Sequence, residues 1–177
     1  MKKIRKIILS ALLLAAAVVL NRFLSINTSI LSIGFTFVPL MLAGIILGWK
    51  YSLVIAGLAD LIGALLFPFG SYFVGYTISS VLTGLVYGLF LYQKGVFVVN
   101  KKFLIRLVIA ILIVCIFING GLNTLWLVIT SKKATMAILP TRVIKQLIMI
   151  PVMFITISTL GKLLTKQINE VKDVSDK

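Results

Sequence analysis

The chain has 177 residues, 60% of them hydrophobic, and its formal net charge is +14. Soluble domains are about 45–50% apolar, so a chain of this length cannot bury so much apolar surface in a core of its own. The composition therefore excludes a soluble globular domain and predicts an integral membrane protein. The charge does not predict nucleic-acid binding, because the basic residues lie beside apolar segments, where membrane topology and anionic lipid headgroups explain them.

Six apolar segments separated by polar, glycine or proline breaks predict an all-α membrane protein, a compact six-helix bundle forming one domain over residues 1–177. The predicted helices cover residues of about 4–24, 38–47, 51–67, 72–93, 103–130 and 140–164. The first resembles a signal peptide, but several spans follow it, so we expect it to stay as a helix. Gly120-Gly121 predicts a bend, Pro151 predicts a kink, and residues 166–177 predict a frayed polar tail.

The basic residues are distributed unevenly between the two sides of such a bundle. Thirteen of the eighteen fall before helix 1, between helices 2 and 3, around the helix 4–5 connection or after helix 6. The positive-inside rule makes that side the cytoplasm and places both termini there. The five exceptions are predicted in the outer loops or the outer half of the membrane: Arg22, Lys132, Lys133, Arg142 and Lys145.

Arg142 and Lys145 are one helical turn apart in the stretch "LPTRVIKQLIMIP" and share a helix face. If Pro140 occupies the first turn of helix 6, free backbone N–H groups lie beside Arg142 and outline an anion site. The alternative is that both side chains snorkel to the outer interface and bind lipid phosphate.

Asp60, in "GLADLIGALLF", is the only acidic residue before position 170. It is expected either to pair with Arg22, Arg142 or Lys145 as a structural bridge, or to accept two N–H bonds from a pterin-like ring.

Polar and aromatic residues gather on the same outer side. Asn123 and Trp126, with Asn119 one turn earlier, form a stripe that suits either a ligand or interhelical hydrogen bonds and a belt tryptophan. Aromatic residues also flank the outer loops: Phe35, Phe37, Phe67, Phe69, Tyr72, Phe73 and Tyr76. These features predict an outward-facing pocket for a flat ligand that is amide-rich at one end and anionic at the other.

Other residue sets indicate what the chain does not do alone. There is no histidine, one cysteine (Cys115), no carboxylate cluster and no P-loop, so we expect no disulfide within the chain, no metal or other cofactor, and no enzyme activity. Small residues at Ala11/Ala15, Gly44/Gly48 and Gly84/Gly88 have the spacing that permits close helix contacts. The chain is thus expected to bind a ligand and to lack its own energy source.

The sequence resembles the substrate-binding S components of energy-coupling factor (ECF) vitamin transporters, and their folate-specific branch in particular. The resemblance covers nearly the whole chain. It is carried by "ALLLA", "SIGFTFVPLMLAG", "GLADLIGALLFPFGSYFVGYTISSVLTGLVYG", "GLNTLWL" and "LPTRVIKQLIMIP".

This resemblance implies that the chain captures folate at the outer face of the bacterial cell membrane. It further implies that Ala11 and Ala15 dock on a membrane coupling subunit driven by two ATPases. The residues expected to contact the ligand, from their positions and chemistry, are Arg22, Phe35, Phe37, Asp60, Tyr72, Tyr76, Asn123, Trp126, Arg142 and Lys145. The alternatives are an S component for riboflavin or thiamine and a structural membrane protein whose outer charges only bind lipid.

Overall fold

The structure is a computed structural model that describes residues 2–22, 25–27, 32–66, 72–131 and 135–176. In these ranges the chain is nearly all helical, with one short antiparallel hairpin. The helices are α1 (Lys2–Arg22), α2 (Phe37–Leu47), α3 (Trp49–Leu66), α4 (Val74–Leu91), α5 (Lys101–Leu112), α6 (Asn123–Ser131), α7 (Thr135–Leu163) and α8 (Thr165–Asp176). A π-helical segment, Ile113–Leu122, joins α5 to α6, and the strands are β1 (Ser25–Asn27) and β2 (Ser32–Gly34).

Five helical segments in the described ranges are long and apolar enough to cross a membrane. They are Lys3–Asn21, Trp49–Leu66, Val74–Leu91, Lys101–Thr130 and Arg142–Leu163. The second predicted helix corresponds to α2, which has only 11 residues and is about 16 Å long, roughly half the hydrocarbon thickness of a bilayer.

The hairpin occupies the polar stretch between α1 and α2. Ser25 pairs with Gly34, and Ile26 pairs with Ile33, in antiparallel register. The stretch is rich in Ser, Asn and Thr, which favour turns and caps over helix interiors, and α1 ends before it at Arg22.

The fifth predicted helix is continuous from α5 through the π-helical segment to α6. Gly120 and Gly121, where a bend was predicted, lie inside the π-helical turns. A π-helix adds residues to each turn and shifts every side chain that follows, and such insertions are frequent at functional sites. Here the segment ends just before Asn123.

The predicted start of helix 6 at Pro140 is wrong. Helix α7 begins at Thr135, and Pro140 is its sixth residue. The helix continues through the proline at the loss of one backbone hydrogen bond. Arg142 therefore lies beyond the first turn, and the expected cluster of free backbone N–H groups beside it does not exist at that position.

The predicted fraying of the C-terminal tail is also wrong, because residues 165–176 form helix α8. Ile168 and Lys172 are buried on one face of α8. Asn169 accepts a hydrogen bond from the Phe97 N–H (2.5 Å) and donates to the Phe97 carbonyl (3.0 Å). A polar helix is thus held to the bundle by its one apolar face and a two-bond clamp.

Glycines allow α4 to lie directly against its neighbours. A Cβ at Gly84 would come within 2.9 Å of the Leu53 Cα, and a Cβ at Gly88 would come within 2.6 Å of the Trp49 backbone nitrogen. A Cβ at Gly44 would likewise lie 2.8 Å from the backbone of Tyr87. The predicted close helix contacts are confirmed at these three glycines, whereas Gly48 ends α2 with a φ of 81°.

Candidate functional site

The candidate site is a cavity of about 320 Å³ at the N-terminal end of α2. It is lined by Asn21, Gly34, Thr36, Phe37, Leu40, Asp60, Tyr76, Ser80, Thr83, Tyr87, Val114, Asn119, Asn123, Arg142, Lys145, Gln146, Met149 and Met153. The lining comes from the end of α1, the hairpin, α2, α3, α4, the π-helical segment, α6 and α7.

The shortness of α2 makes room for this cavity. Thr36 and Phe37, at the start of α2, and Leu40, one turn later, form part of the lining. Neighbouring α4 has 18 residues and is about 27 Å long, roughly 11 Å more than α2. The space that a full-length second helix would fill is therefore open to polar side chains.

Asp60 is held on the cavity wall by neutral partners. The Thr77 hydroxyl donates to its Oδ2 at 2.7 Å, and the Tyr72 and Thr77 hydroxyl oxygens are 2.8 Å apart. Because the Thr77 proton is used on Asp60, Tyr72 is the donor in the second bond. Within the described part of the chain, Asp60 forms no ion pair, so the expected bridge to Arg142 or Lys145 is absent there. The carboxylate keeps acceptor capacity for a ligand.

Arg142 and Lys145 line the cavity from α7. Arg142 donates from Nη1 to the Thr124 hydroxyl at 3.1 Å, while its Nε is buried without a hydrogen-bond partner. A buried guanidinium nitrogen without a partner is costly unless an anion or another acceptor occupies the site. The two cations are three residues apart on one helix face, so their mutual repulsion adds to that cost.

The two asparagines of the predicted polar stripe both line the cavity. The Asn123 side-chain amide donates to Asn119 Oδ1 at 3.0 Å, and the Asn123 Oδ1 is buried without a partner. The site therefore presents an unused acceptor on Asn123 together with the unused donor on Arg142. Unsatisfied buried groups of this kind are rare and call for a specific explanation, such as a ligand.

Only some of the predicted aromatic contacts line the cavity. Phe37 and Tyr76 line the cavity, whereas Phe35 is 50% exposed with its ring centroid 6.1 Å from that of Phe37. Tyr72 reaches the site through Thr77, outside the lining. Trp126 also lies outside it, because its Nε1 donates to Ser79 at 3.0 Å and its ring packs on Phe73.

The predicted contacts and the observed lining differ at several residues. The side chains of Arg22, Lys132 and Lys133 lie outside the described residues. Polar lining residues that were not predicted lie on three helices, Asn21 on α1, Ser80 and Thr83 on α4, and Gln146 on α7. Helical periodicity could have identified those on α4 and α7, because Tyr76, Ser80, Thr83 and Tyr87 recur every three or four residues and Gln146 lies four residues after Arg142.

The comparisons with known proteins agree with this architecture. The family described as "ECF transporter, substrate-specific component" matches residues 5–161. A folate transporter, FolT, of Clostridium novyi (strain NT) is 36% identical over 157 residues, covering 89% of this chain and 88% of the relative. A second folate transporter FolT, from Leuconostoc mesenteroides, is 34% identical over 153 residues, covering 84% of this chain and 80% of the relative.

A solved structure described as "Crystal structure of FolT bound with folic acid" superimposes with a TM-score of 0.82 at 35% identity. The match covers 91% of this chain and 96% of that one. With a family match of this extent and relatives above one-third identity, this multi-pass membrane chain belongs to the substrate-specific components of ECF transporters.

Proposed function

We propose that this chain is the folate-binding S component of an ECF importer. The observation that carries the proposal is the set of polar groups on one cavity. Among the described residues, the Asp60 carboxylate has no cationic partner, and Arg142 and Lys145 have no anionic partner. The Asn123 side-chain oxygen is buried without a hydrogen-bond donor. The likeness to folate transporters and to a structure bound to folic acid supports the same ligand.

Folate is a pterin joined through an aromatic linker to a glutamate, and each end suits one part of the cavity. Asp60 would accept two N–H bonds from the pterin, with the bidentate geometry that carboxylates also use for guanidinium groups. Arg142 and Lys145 would hold the glutamate carboxylates, which supply an acceptor to the Arg142 Nε. Phe37 and Tyr76 would pack on the flat rings, and Asn123 would accept a further ligand N–H.

Arg22, Phe35, Tyr72 and Trp126 are proposed with smaller roles. Tyr72 orients Asp60 through Thr77, and Trp126 supports the wall through Ser79. Phe35 would cover the mouth beside Phe37. Arg22 stays a candidate for the anionic end on the basis of the sequence alone.

We infer that six helical units cross the membrane and that both termini are cytoplasmic. The short α2 would cross together with the hairpin that precedes it, which places the cavity in the outer half of the bilayer. The charge distribution supports this orientation, since most basic residues lie at the opposite end of the helices.

Transport would need partner subunits, a membrane coupling protein and two ATPases. Ala11 and Ala15 lie exposed on α1, where small side chains would allow another helix to approach closely. They are proposed as the docking surface for the coupling protein.

Other vitamins fit the charge of the cavity less well. Thiamine is cationic and would meet Arg142 and Lys145, whereas neutral riboflavin would leave both cations without a counter-charge. A structural protein whose outer charges bind only lipid would have no saturable ligand.

Calorimetric titration of ligand-free protein with folic acid, thiamine and riboflavin tests the proposal. We expect saturable binding of folic acid only, weakened at least about tenfold in Arg142→Ala, which removes a charged hydrogen-bond donor. Lys162→Ala, on the exposed part of α7, is the matched control and should bind normally. Folded protein that binds no folic acid would refute the ligand assignment.

A further inference from the structure

A second cavity, of about 380 Å³, lies at the other end of α4 from the candidate site. It lies between the residues that follow α4 and the first turns of α5. Its polar lining includes Gln93, Lys94, Asn100, Lys102 and Arg106. None of the described residues that line it is acidic, so its charge is strongly positive.

The basic residues at the start of α5 destabilise the helix in two ways. Lys101 and Lys102 occupy the first turn, where the positive end of the helix dipole disfavours cations. Lys102 and Arg106 are also four residues apart, which brings like charges together on one face. An anion bound in this cavity would reverse the sign of both effects.

The backbone at the same position has donors to offer an anion. The Asn100 side chain accepts the Phe103 N–H at 2.8 Å and so caps one of the free groups. The N–H groups of Lys101 and Lys102 precede the first intrahelical bonds and point out of the helix end. Together with the cationic side chains, they form a cradle for phosphate oxygens.

The wall of the cavity is held in place before any ligand arrives. Gln93 donates to the Val98 carbonyl at 3.2 Å and accepts the Val98 N–H at 3.1 Å. Lys172 of α8 donates from Nζ to the Gln93 carbonyl and lies 4.9 Å from the centroid of the Tyr92 ring. These contacts fix the 93–98 side of the cavity, so ordering on binding is confined to the exposed side chains of Lys102 and Arg106.

The surroundings favour a lipid over a soluble anion. Trp49 and Lys50 lie at the same end of the bundle, since Trp49 contacts Gly88 near the end of α4, and this pairing is typical of a membrane interface. An exposed apolar stripe also continues from the cavity along α5 and the π-helical segment, formed by Ile105, Ile109, Leu112 and Ile116. Acyl chains can lie on this stripe while the headgroup occupies the cavity.

We propose that this cavity binds the phosphate headgroup of an anionic phospholipid, with Lys102 and Arg106 as its main side-chain contacts. The site is distinct from the folate cavity and does not depend on the folate assignment. Lys94 and the two free N–H groups at the start of α5 complete the headgroup contacts.

Native mass spectrometry of the detergent-purified full chain, titrated with phosphatidylglycerol or phosphatidylcholine, tests this site. We expect wild-type protein to bind phosphatidylglycerol preferentially and Lys102→Gln/Arg106→Gln to bind it about tenfold more weakly, from the loss of two charges near a lipid surface. The control Lys162→Gln/Lys166→Gln removes the same charge at the same end of the bundle without touching the cavity and should bind like wild type. Circular dichroism and a monodisperse elution profile check the fold of each variant.

Three outcomes would overturn the proposal. Equal loss in both double variants would mean that only total charge matters. Absence of a preference for phosphatidylglycerol in the wild-type protein would exclude the site without reliance on any variant. Displacement of the lipid by an equal concentration of inorganic phosphate would assign the cavity to a soluble anion.

Discussion

The two walls of the candidate cavity are packed in different ways. The wall that carries Asp60 and Tyr76 consists of α3 and α4, whose backbones touch through Gly84 and Gly88. The wall that carries Arg142 and Lys145 belongs to α7, and no residue from 142 to 152 is buried. Among the side chains of α7 that the structure describes, the buried ones lie further on, at Met153 and Ile157.

This difference separates the two ends of the proposed ligand. Packing and the Thr77 hydrogen bond hold the carboxylate in place, so the pterin end of the proposed ligand would meet a preorganised acceptor. Arg142 and Lys145 lie on a part of α7 that is only partly buried, and Arg142 is held there by its hydrogen bond to the Thr124 hydroxyl. We therefore expect the α3–α4 wall to control stability and the α7 wall to control the response to ligand.

Breaking the α3–α4 wall should have the largest effect. Gly84→Leu places a side chain where even a Cβ would lie 2.7 Å from the Ala56 Cβ and 2.9 Å from the Leu53 Cα. Overpacking a core usually costs about 1–3 kcal/mol, and a clash with backbone costs more. We expect the variant to yield no monodisperse protein in fluorescence-detected size-exclusion chromatography.

A glycine with space around it provides the control. A Cβ at Gly121 would lie 3.8 Å from the Ile116 carbonyl oxygen, which is an ordinary contact. Gly121→Ala should therefore elute as wild type does. Normal elution of Gly84→Leu would mean that the α3–α4 contact does not hold this wall.

Asp60→Asn should have the next largest effect, and on binding alone. The asparagine oxygen still accepts the Thr77 hydroxyl, so the wall keeps its geometry, but the charged acceptor is lost. Hydrogen bonds to charged groups contribute about 1.5–3 kcal/mol, which corresponds to roughly a tenfold to hundredfold loss of folate affinity in calorimetry.

Glu170→Gln is the matched control for this variant, because it removes an exposed carboxylate on α8. It should leave folate affinity unchanged. An unaltered affinity in Asp60→Asn would remove the pterin contact from the proposal.

Lys145→Met should separate stability from binding on the α7 wall. Replacing a partly buried cation that repels Arg142 with an apolar side chain of similar length is often neutral or stabilising. We expect the melting temperature of the ligand-free variant to equal or exceed that of wild type, while folate affinity falls about tenfold. A lower melting temperature with normal affinity would assign Lys145 a structural role.

The amino-acid sequence predicts the apolar helices well because each signal is local. Long apolar runs, breaks at glycine and proline, and the GxxxG spacing on α4 need no knowledge of distant residues. The start of α7 could not be predicted in the same way, since a proline is compatible with both a first turn and a helix interior. Helix α8 was missed because its stability comes from contacts with the 92–100 connection, through Asn169 and Phe97.

The site shows the same division between local and distant information. Phe37, Asp60, Tyr76, Asn123, Arg142 and Lys145 were predicted as ligand contacts, and the structure places all six on one cavity, although their role in binding stays a prediction. The partner of Asp60 was not predictable, because Thr77 is an inconspicuous residue 17 positions away. Trp126 was predicted as a ligand contact, but its ring lies outside the cavity lining. The hydrogen bond to Ser79 that holds it there joins residues far apart in the sequence and could not be predicted from the local pattern.

The smallest effect on folate binding is expected from the end of the bundle that faces away from the cavity. Asn169→Ala removes both hydrogen bonds to the Phe97 backbone and leaves a buried donor and acceptor less well satisfied. We expect a loss of about 1–2 kcal/mol in stability, seen as a lower melting temperature, because each such bond contributes about 1 kcal/mol. Folate affinity should stay the same within a factor of two, since none of the described residues of α8 lines the cavity. A large drop in affinity would instead mean that the two ends are coupled through α4, which connects the Phe97 loop to the wall that carries Tyr76.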